Sequence, residues 1–493
     1  MMKKRVILPL VAAISTAMVG CGGGGGDSGG SNGPAPTVYK WQVIDVYQDE
    51  RNNIQNGCAI LSKIENSTKV VAARTANTGY RILFHDSKGE FISDKTIEGT
   101  SLPSSGIISI PKSDISDGGY VTLEELIGGV AGNRFSYMFS VQKELMQNMT
   151  IAIRTPNTHN SCYRGEQELE DITVSDALVA VASNDNPSYY RTSASDGRVS
   201  GGSTALSVPV VSNYPAAEKK LVTAFSDYTN SMPNDMISYG ILPASSVYVS
   251  SMTPPGADIL SSLGIDSHSL SLQNLTLKGS QSAIKAVIGN EVYDWQGVNV
   301  QTNNYSYVPT DDLLKNWSAE IYAETSIGNW LYLGMRPIKG QPLTLTQPSV
   351  TDFSSTNIGS CGSNDCVVST SFNSNDYTVQ RTSIRSKTTN SLDMYQSIYA
   401  QPSNNQVLMK SPSEVLAPSV SDSIEIGLVS STASISMVAS YLMENSYSAE
   451  DSASAGNEDF TDYNGVIRLS TDSKNHQILM MDETLDFVTN RIN

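Results

Sequence analysis

Tyr39-Lys40-Trp41-Gln42-Val43-Ile44-Asp45-Val46-Tyr47 is a run of β-branched and aromatic residues unbroken by glycine or proline. In an extended chain Trp41, Val43, Asp45 and Tyr47 fall on one face, and Gln42, Ile44 and Val46 on the other. Successive side chains of a strand point to opposite faces, and these residue types suit a pleated surface. The run reads as the opening strand of a β fold.

The signature recurs downstream. Cys58-Ala59-Ile60-Leu61 and segments 69–73, 80–85, 91–92, 107–110, 120–123, 135–141 and 149–154 read as further strands. His85-Asp86-Ser87-Lys88-Gly89-Glu90 reads as a hairpin turn, because Asp, Ser and Gly accept turn dihedrals. Strands at roughly ten-residue spacing with polar turns predict a sandwich. Segments 177–182, 205–211, 220–225, 238–242, 246–250, 270–277 and 283–288 continue the pattern, and 311–315 reads as one helical turn. Trp317-Ser318-Ala319-Glu320-Ile321-Tyr322-Ala323-Glu324 alternates apolar with polar, and 329–333 follows as a strand. In 431–443, Ala433, Ile435, Met437, Ala439 and Tyr441 share one extended face, opposite Thr432, Ser434, Ser436 and Ser440. That segment reads as the clearest strand of the C-terminal part, with 466–469 and 477–481 closing it. Residues 444–459, rich in Ser, Glu and Asp, read as a long solvated loop.

A chain of 493 residues exceeds one ordinary core. The expected class is mainly β: tandem antiparallel β-sandwich (Ig-like) domains over 37–168, 169–345 and 346–493.

Before residue 37 the sequence changes character. Lys3, Lys4 and Arg5 precede an apolar stretch over 6–19, the layout of a signal peptide over 1–20. The stretch is too short to span a bilayer, which takes roughly 20 apolar residues. Met18-Val19-Gly20-Cys21 resembles the lipobox of bacterial lipoproteins, in which a small residue precedes the cysteine. The resemblance implies acylation of Cys21, cleavage before it and acylation of the new amine. Several acyl chains, each buried methylene contributing about 0.8 kcal/mol, make release negligible. Gly22, where that family uses Asp for inner-membrane retention, implies the outer membrane. Residues 21–36 are glycine-rich and lack the side chains for a core. They read as a flexible tether with a span of roughly 20 Å. No Gly-Lys-Ser/Thr follows the glycines, so they do not read as a phosphate loop.

The formal charge is −17, and loss of Lys3, Lys4 and Arg5 makes the chain more acidic still. Such a surface argues against nucleic acid and anionic headgroups as direct partners. Five cysteines are present. With Cys21 acylated, four remain, and an oxidising envelope lets them pair. Cys361 and Cys366 flank a turn-forming Gly-Ser-Asn-Asp, so they read as one bridge. Cys58 and Cys162 then read as the other.

Catalytic patterns are sparse. There is no Gly-x-Ser-x-Gly and no His-Glu-x-x-His, and the four histidines, His85, His159, His268 and His476, are dispersed. His159 lies near Cys162, but a disulfide-bonded Cys162 is no nucleophile. Asp114-Ile115-Ser116-Asp117-Gly118-Gly119-Tyr120-Val121-Thr122-Leu123-Glu124-Glu125 resembles an EF-hand loop, with Asp first, Gly sixth and Glu twelfth. Asp114, Ser116 and Glu125 are its candidate calcium ligands. Gly118 stands where an acidic or amide ligand is usual, and the preceding segment reads as strand rather than helix. The competing reading is a turn leading into the strand 120–123, and the expectation is no bound metal and no cofactor. Trp41 and Trp317 alternate like core residues. Trp295, in Tyr293-Asp294-Trp295-Gln296-Gly297, reads as a turn residue able to meet a sugar face.

Tyr39-Lys40-Trp41-Gln42, Gly57-Cys58-Ala59-Ile60 and Gly118-Gly119-Tyr120-Val121-Thr122-Leu123 resemble the lipoproteins of flagellar sheaths in bacteria with membrane-sheathed flagella. That resemblance implies a non-enzymatic protein on an outer-membrane extension, with envelope or flagellar proteins as partners. The leading expectation is a non-catalytic outer-membrane surface lipoprotein with a structural or interaction role. A glycan-binding surface lipoprotein and an envelope hydrolase without a recognisable motif are the alternatives.

Overall fold

The computed structural model describes residues 37–64, 67–125, 135–153, 162–164, 174–180, 187–192, 196–198, 205–211, 220–229, 232–243, 246–248, 256–278, 281–300, 302–309, 314–444, 465–467 and 470–492. They build a mainly β body with antiparallel-rich sheets. The opening strand, Val38–Glu50, is a hub. It pairs antiparallel with Lys69–Thr75 and Ile107–Pro111, and parallel with Met149–Ile153. Both its faces are covered. Trp41 and Val43 enter one core, while Ile44 and Val46 enter another.

The largest sheet has twelve strands among the described residues. From one edge the order is Glu291–Gly297, Ala283–Ile288, Leu314–Thr325, Leu331–Pro337, Leu485–Ile492, Ser423–Ser431, Val379–Lys387, Asp393–Ala400, Phe135–Gln142, Tyr120–Glu125 and Tyr80–His85. Leu275–Leu277 adds to Leu314–Thr325. Asp393–Ala400 and Phe135–Gln142 run parallel; the other neighbours are antiparallel. The sheet draws strands from both sides of 168/169 and of 345/346, so it crosses the boundaries expected there.

Alternation along each strand sends side chains into two cores, one on each face. On one face Phe139 and Val121 pack with Trp41 and Ile151 of the sheet around Val38–Glu50. On the other, Met138, Ile426 and Val488 join a core that includes Trp295 and Trp317.

Two segments expected as strands are helices. Residues 431–443 contain the end of strand Ser423–Ser431 and then helix α1, Ile435–Glu444. The residues that decide this are Val438 and Leu442, both buried, which lie on the polar face of an extended reading. At helical spacing, Val438, Ala439, Leu442 and Met443 form one apolar stripe. Ser434 caps the helix, its hydroxyl 3.3 Å from the amide of Met437. Residues 477–481 belong mostly to helix α2, Ser470–Met480, where His476 and Met480 are buried four residues apart. The last strand is instead Leu485–Ile492. Leu314 and Lys315 open a strand, and the rest of the helical turn expected at 311–315 lies outside the described residues.

Both expected cystines are present. Cys58 and Cys162 join with Cα atoms 5.4 Å apart, and Cys361 joins Cys366 with Cα atoms 5.8 Å apart. The first pins the segment around Cys162 beside Arg74 of the Lys69–Thr75 strand. The second clips the hairpin of Asn357–Cys361 and Asn364–Val368.

Candidate functional site

Cys21, the whole tether and His159 lie outside the described residues, as does the acidic loop after Glu444. Trp295 is within them, and its expected position is corrected. It sits in strand Glu291–Gly297 and is fully enclosed. Trp317 meets it edge-on at 4.8 Å and Tyr239 packs at 5.3 Å, so the indole has no face left for a sugar.

The EF-hand-like stretch is a turn followed by a strand. Asp114 ends a short 3-10 turn, Lys112–Asp114, and Gly118 occupies the left-handed region at φ 65°. Asp117 pairs with Lys143 at 2.8 Å, and the Ser116 hydroxyl is directed at the carbonyl of His85. Glu125 closes strand Tyr120–Glu125 and is buried. No group of three or more His, Cys, Asp or Glu side chains is gathered for a metal among the described residues.

Among the described residues, His85 is the most completely fixed histidine. Its Nε2 lies 2.9 Å from the carbonyl of Lys410, which only accepts, so Nε2 carries the proton. Nδ1 is then the acceptor, and the Thr122 hydroxyl donates to it at 3.1 Å. Ser140 in turn stands 2.9 Å from Thr122 and supplies the next donor. Burial lowers the pKa of His85 to about 4 despite the opposing pull of the Lys410 carbonyl. The chain holds a neutral imidazole in the core and ties the segment at Lys410 to the sheet.

A second polar cluster has the same character. Arg81 binds Glu124 at 2.5 Å, and Ser411 and Ser413 hydrogen-bond to this pair from above. Each buried charge meets a partner, as burial requires.

The face of the large sheet beneath α1 is different. Cross-strand register sets Arg381, Gly427, Thr489 and Leu331 in one row over four adjacent strands. Val429, Phe487, Leu333 and Tyr322 form the next row. Paired residues share a face, so both rows face the helix. Gly427 is needed because a Cβ there would meet the Phe487 ring at 2.9 Å. A cavity of about 290 Å3 remains between these rows and Tyr441 and Leu442 of α1. Leu331, 55 % exposed, stands at its rim.

The polar groups around this cavity are unequally served. Arg381 forms an ion pair with Glu425 through one terminal nitrogen, and its guanidinium lies 5.9 Å from the centre of the Phe487 ring. The Tyr322 hydroxyl donates to Glu320 at 3.0 Å, and Lys285 holds the same carboxylate at 3.0 Å. Burial raises the pKa of Tyr322 and of Tyr441, with Glu320 reinforcing both, so the phenols stay protonated. Arg381 Nε and Thr489 Oγ1, by contrast, are buried with no hydrogen-bond partner among the described residues. Both belong to residues that line the cavity. Sequence reading missed them because only strand register makes them neighbours. The one local signal was Gly427 within a β-branched run, since glycine inside a strand marks a close approach.

No protein-family model matches this chain, and no curated protein sequence matches it.

Proposed function

We propose that this chain is a non-catalytic outer-membrane lipoprotein, anchored through acylated Cys21, whose β body serves a structural or interaction role at the cell surface. Its place is the membrane sheath of a flagellum, with envelope or flagellar proteins as partners. The observation that carries the reading is Met18-Val19-Gly20-Cys21 followed by glycine-rich sequence. The two cystines support it, because such bridges persist in oxidising compartments outside the cytosol. The locked states of His85 and Cys162 support a non-catalytic role for those two residues, since neither presents a free base or thiolate.

Fractionation of flagella from cell bodies tests the reading. The wild-type protein is expected with the sheath membrane, and the Cys21→Ser protein is expected to be lost from it. A Cys21→Ser protein that still sediments with outer membrane refutes the anchor. Protease added to intact cells should cut the body; complete protection refutes surface exposure.

A further inference from the structure

The geometry points to a binding site for a small uncharged organic molecule, an apolar or aromatic body bearing one acceptor oxygen, in the cavity between α1 and the twelve-stranded sheet. The site goes beyond the anchoring role and does not depend on it.

Size sets the first bound. A volume of about 290 Å3 lies at the lower end of ligand cavities, typically about 300–1,000 Å3. It corresponds to on the order of ten water volumes, hence a ligand of about ten heavy atoms. The walls set the second. Tyr322, Leu333, Tyr441 and Phe487 present rings and aliphatic surface to the space. The hydroxyl of Tyr322 is engaged by Glu320.

Charge and hydrogen bonding set the third. The Arg381 cation is already matched by Glu425, so a ligand carboxylate would leave an unmatched negative charge in a buried place. Two polar atoms of lining residues, Arg381 Nε and Thr489 Oγ1, each in a strand flanking Gly427, are buried without a hydrogen-bond partner among the described residues. A buried donor without an acceptor is costly. A carbonyl, ether or hydroxyl oxygen placed there relieves it. A sugar, which needs a partner for each of several hydroxyls, does not fit walls built mainly of rings and aliphatic side chains. Leu331 at the rim marks the way in.

Equilibrium dialysis of the full-length protein as isolated, with a protein-free control of the same buffer subtracted, tests this directly. The probes are acetophenone, n-propylbenzene of similar shape without the oxygen, benzoate, and methyl β-glucoside. Acetophenone is expected to bind with a Kd on the order of 1 mM or tighter, an ordinary efficiency for about nine heavy atoms. n-Propylbenzene gains more on leaving water but carries no acceptor, so its affinity is compared only between the wild type and the variants. Thr489→Val should weaken acetophenone about threefold to tenfold, the worth of one hydrogen bond, and leave n-propylbenzene unchanged. Leu331→Trp, at an exposed position that tolerates a large side chain, should reduce both at least tenfold, about one factor of ten being 1.4 kcal/mol. The thermal transition of each variant establishes that it is folded. Absence of acetophenone binding to the wild type at about 10 mM overturns the proposal, since that is ten times a 1 mM Kd. So does equal binding of benzoate or methyl β-glucoside, or binding indifferent to Leu331→Trp.

Discussion

The Thr122 hydroxyl stands 3.1 Å from Nδ1 of His85, on the side of the ring opposite the Lys410 carbonyl. Both nitrogens are therefore committed to neutral partners, and burial holds the pKa near 4 against an ordinary value of 6.5. Above pH 6.5 the folded and unfolded chains are both neutral at this residue. Below it, the unfolded chain takes up a proton that the folded chain declines, and stability falls as pH drops toward 4. The loss reaches about 3 kcal/mol, from roughly 1.4 kcal/mol for each pH interval of one. Urea unfolding between pH 7 and pH 4 measures it when the curve for His85→Gln is subtracted, because the carboxylates are common to both proteins. His85→Gln is expected to be destabilised at pH 7 and to lose less on acidification. A difference independent of pH would falsify this account of His85.

The two cystines close loops of very different length, with sequence separations of 104 and 5. In the chain-entropy treatment the longer bridge restrains the unfolded chain by roughly 4–5 kcal/mol and the shorter by about 2 kcal/mol. The paired change Cys58→Ser with Cys162→Ser is therefore expected to lower the urea midpoint more than Cys361→Ser with Cys366→Ser. It should also raise the denaturant slope more, since the freed chain exposes more surface. If the short bridge proves the costlier to remove, its role lies in the folded hairpin rather than in the unfolded chain.

What could be read from the sequence was local. Alternation around Trp41 and Trp317 marked true strands, and Gly-Ser-Asn-Asp between Cys361 and Cys366 marked a true hairpin. Alternation failed in 431–443 because only Ala439 of the five alternating apolar residues belongs to the buried helical stripe; Val438, Leu442 and Met443, with the Ser434 cap, tip the balance. The cavity was illegible for another reason. Arg381, Gly427 and Thr489 come from strands distant in sequence, and a register shift of one residue would send each side chain to the other face. Sandwich class depends on patterns within strands, whereas this site depends on pairing between them.

Trp295 illustrates the cost of misreading a neighbour. Asp294, Gln296 and Gly297 make its surroundings look like a turn, yet the indole is enclosed by Trp317 and Tyr239. Trp295→Ala is expected to destabilise by about 3–5 kcal/mol, as removal of a core aromatic does. Its Nε1 has no hydrogen-bond partner among the described residues, so Trp295→Phe forfeits packing alone and should cost less than half as much. Urea unfolding of the two variants gives both figures. A Trp295→Ala protein of wild-type stability that has lost binding to a glycan array would restore the contact-residue reading.

The turn before the rim of the cavity offers a sharper test of how the sheet is built. Gly328 lies in the left-handed region at φ 78°, and its carbonyl accepts a hydrogen bond from Asn490 at 2.8 Å. A Cβ at this position would stand 2.3 Å from the Thr351 carbonyl oxygen. That oxygen is the acceptor for the indole N–H of Trp330, at 2.8 Å, and Trp330 is fully buried. Gly328→Ala must therefore strain its own backbone, by about 1–2 kcal/mol, and displace the acceptor of a buried donor, by about 1–3 kcal/mol more. Gly289 provides the control. Its φ is 68°, and a Cβ there meets nothing within 4 Å. Gly289→Ala should show the backbone strain alone. The excess loss in Gly328→Ala, read from urea midpoints of the two single variants, measures the contact between the turn and Thr351. Equal losses would mean that the Thr351 segment yields freely, and that the Trp330 bond is not what fixes the turn beside Leu331.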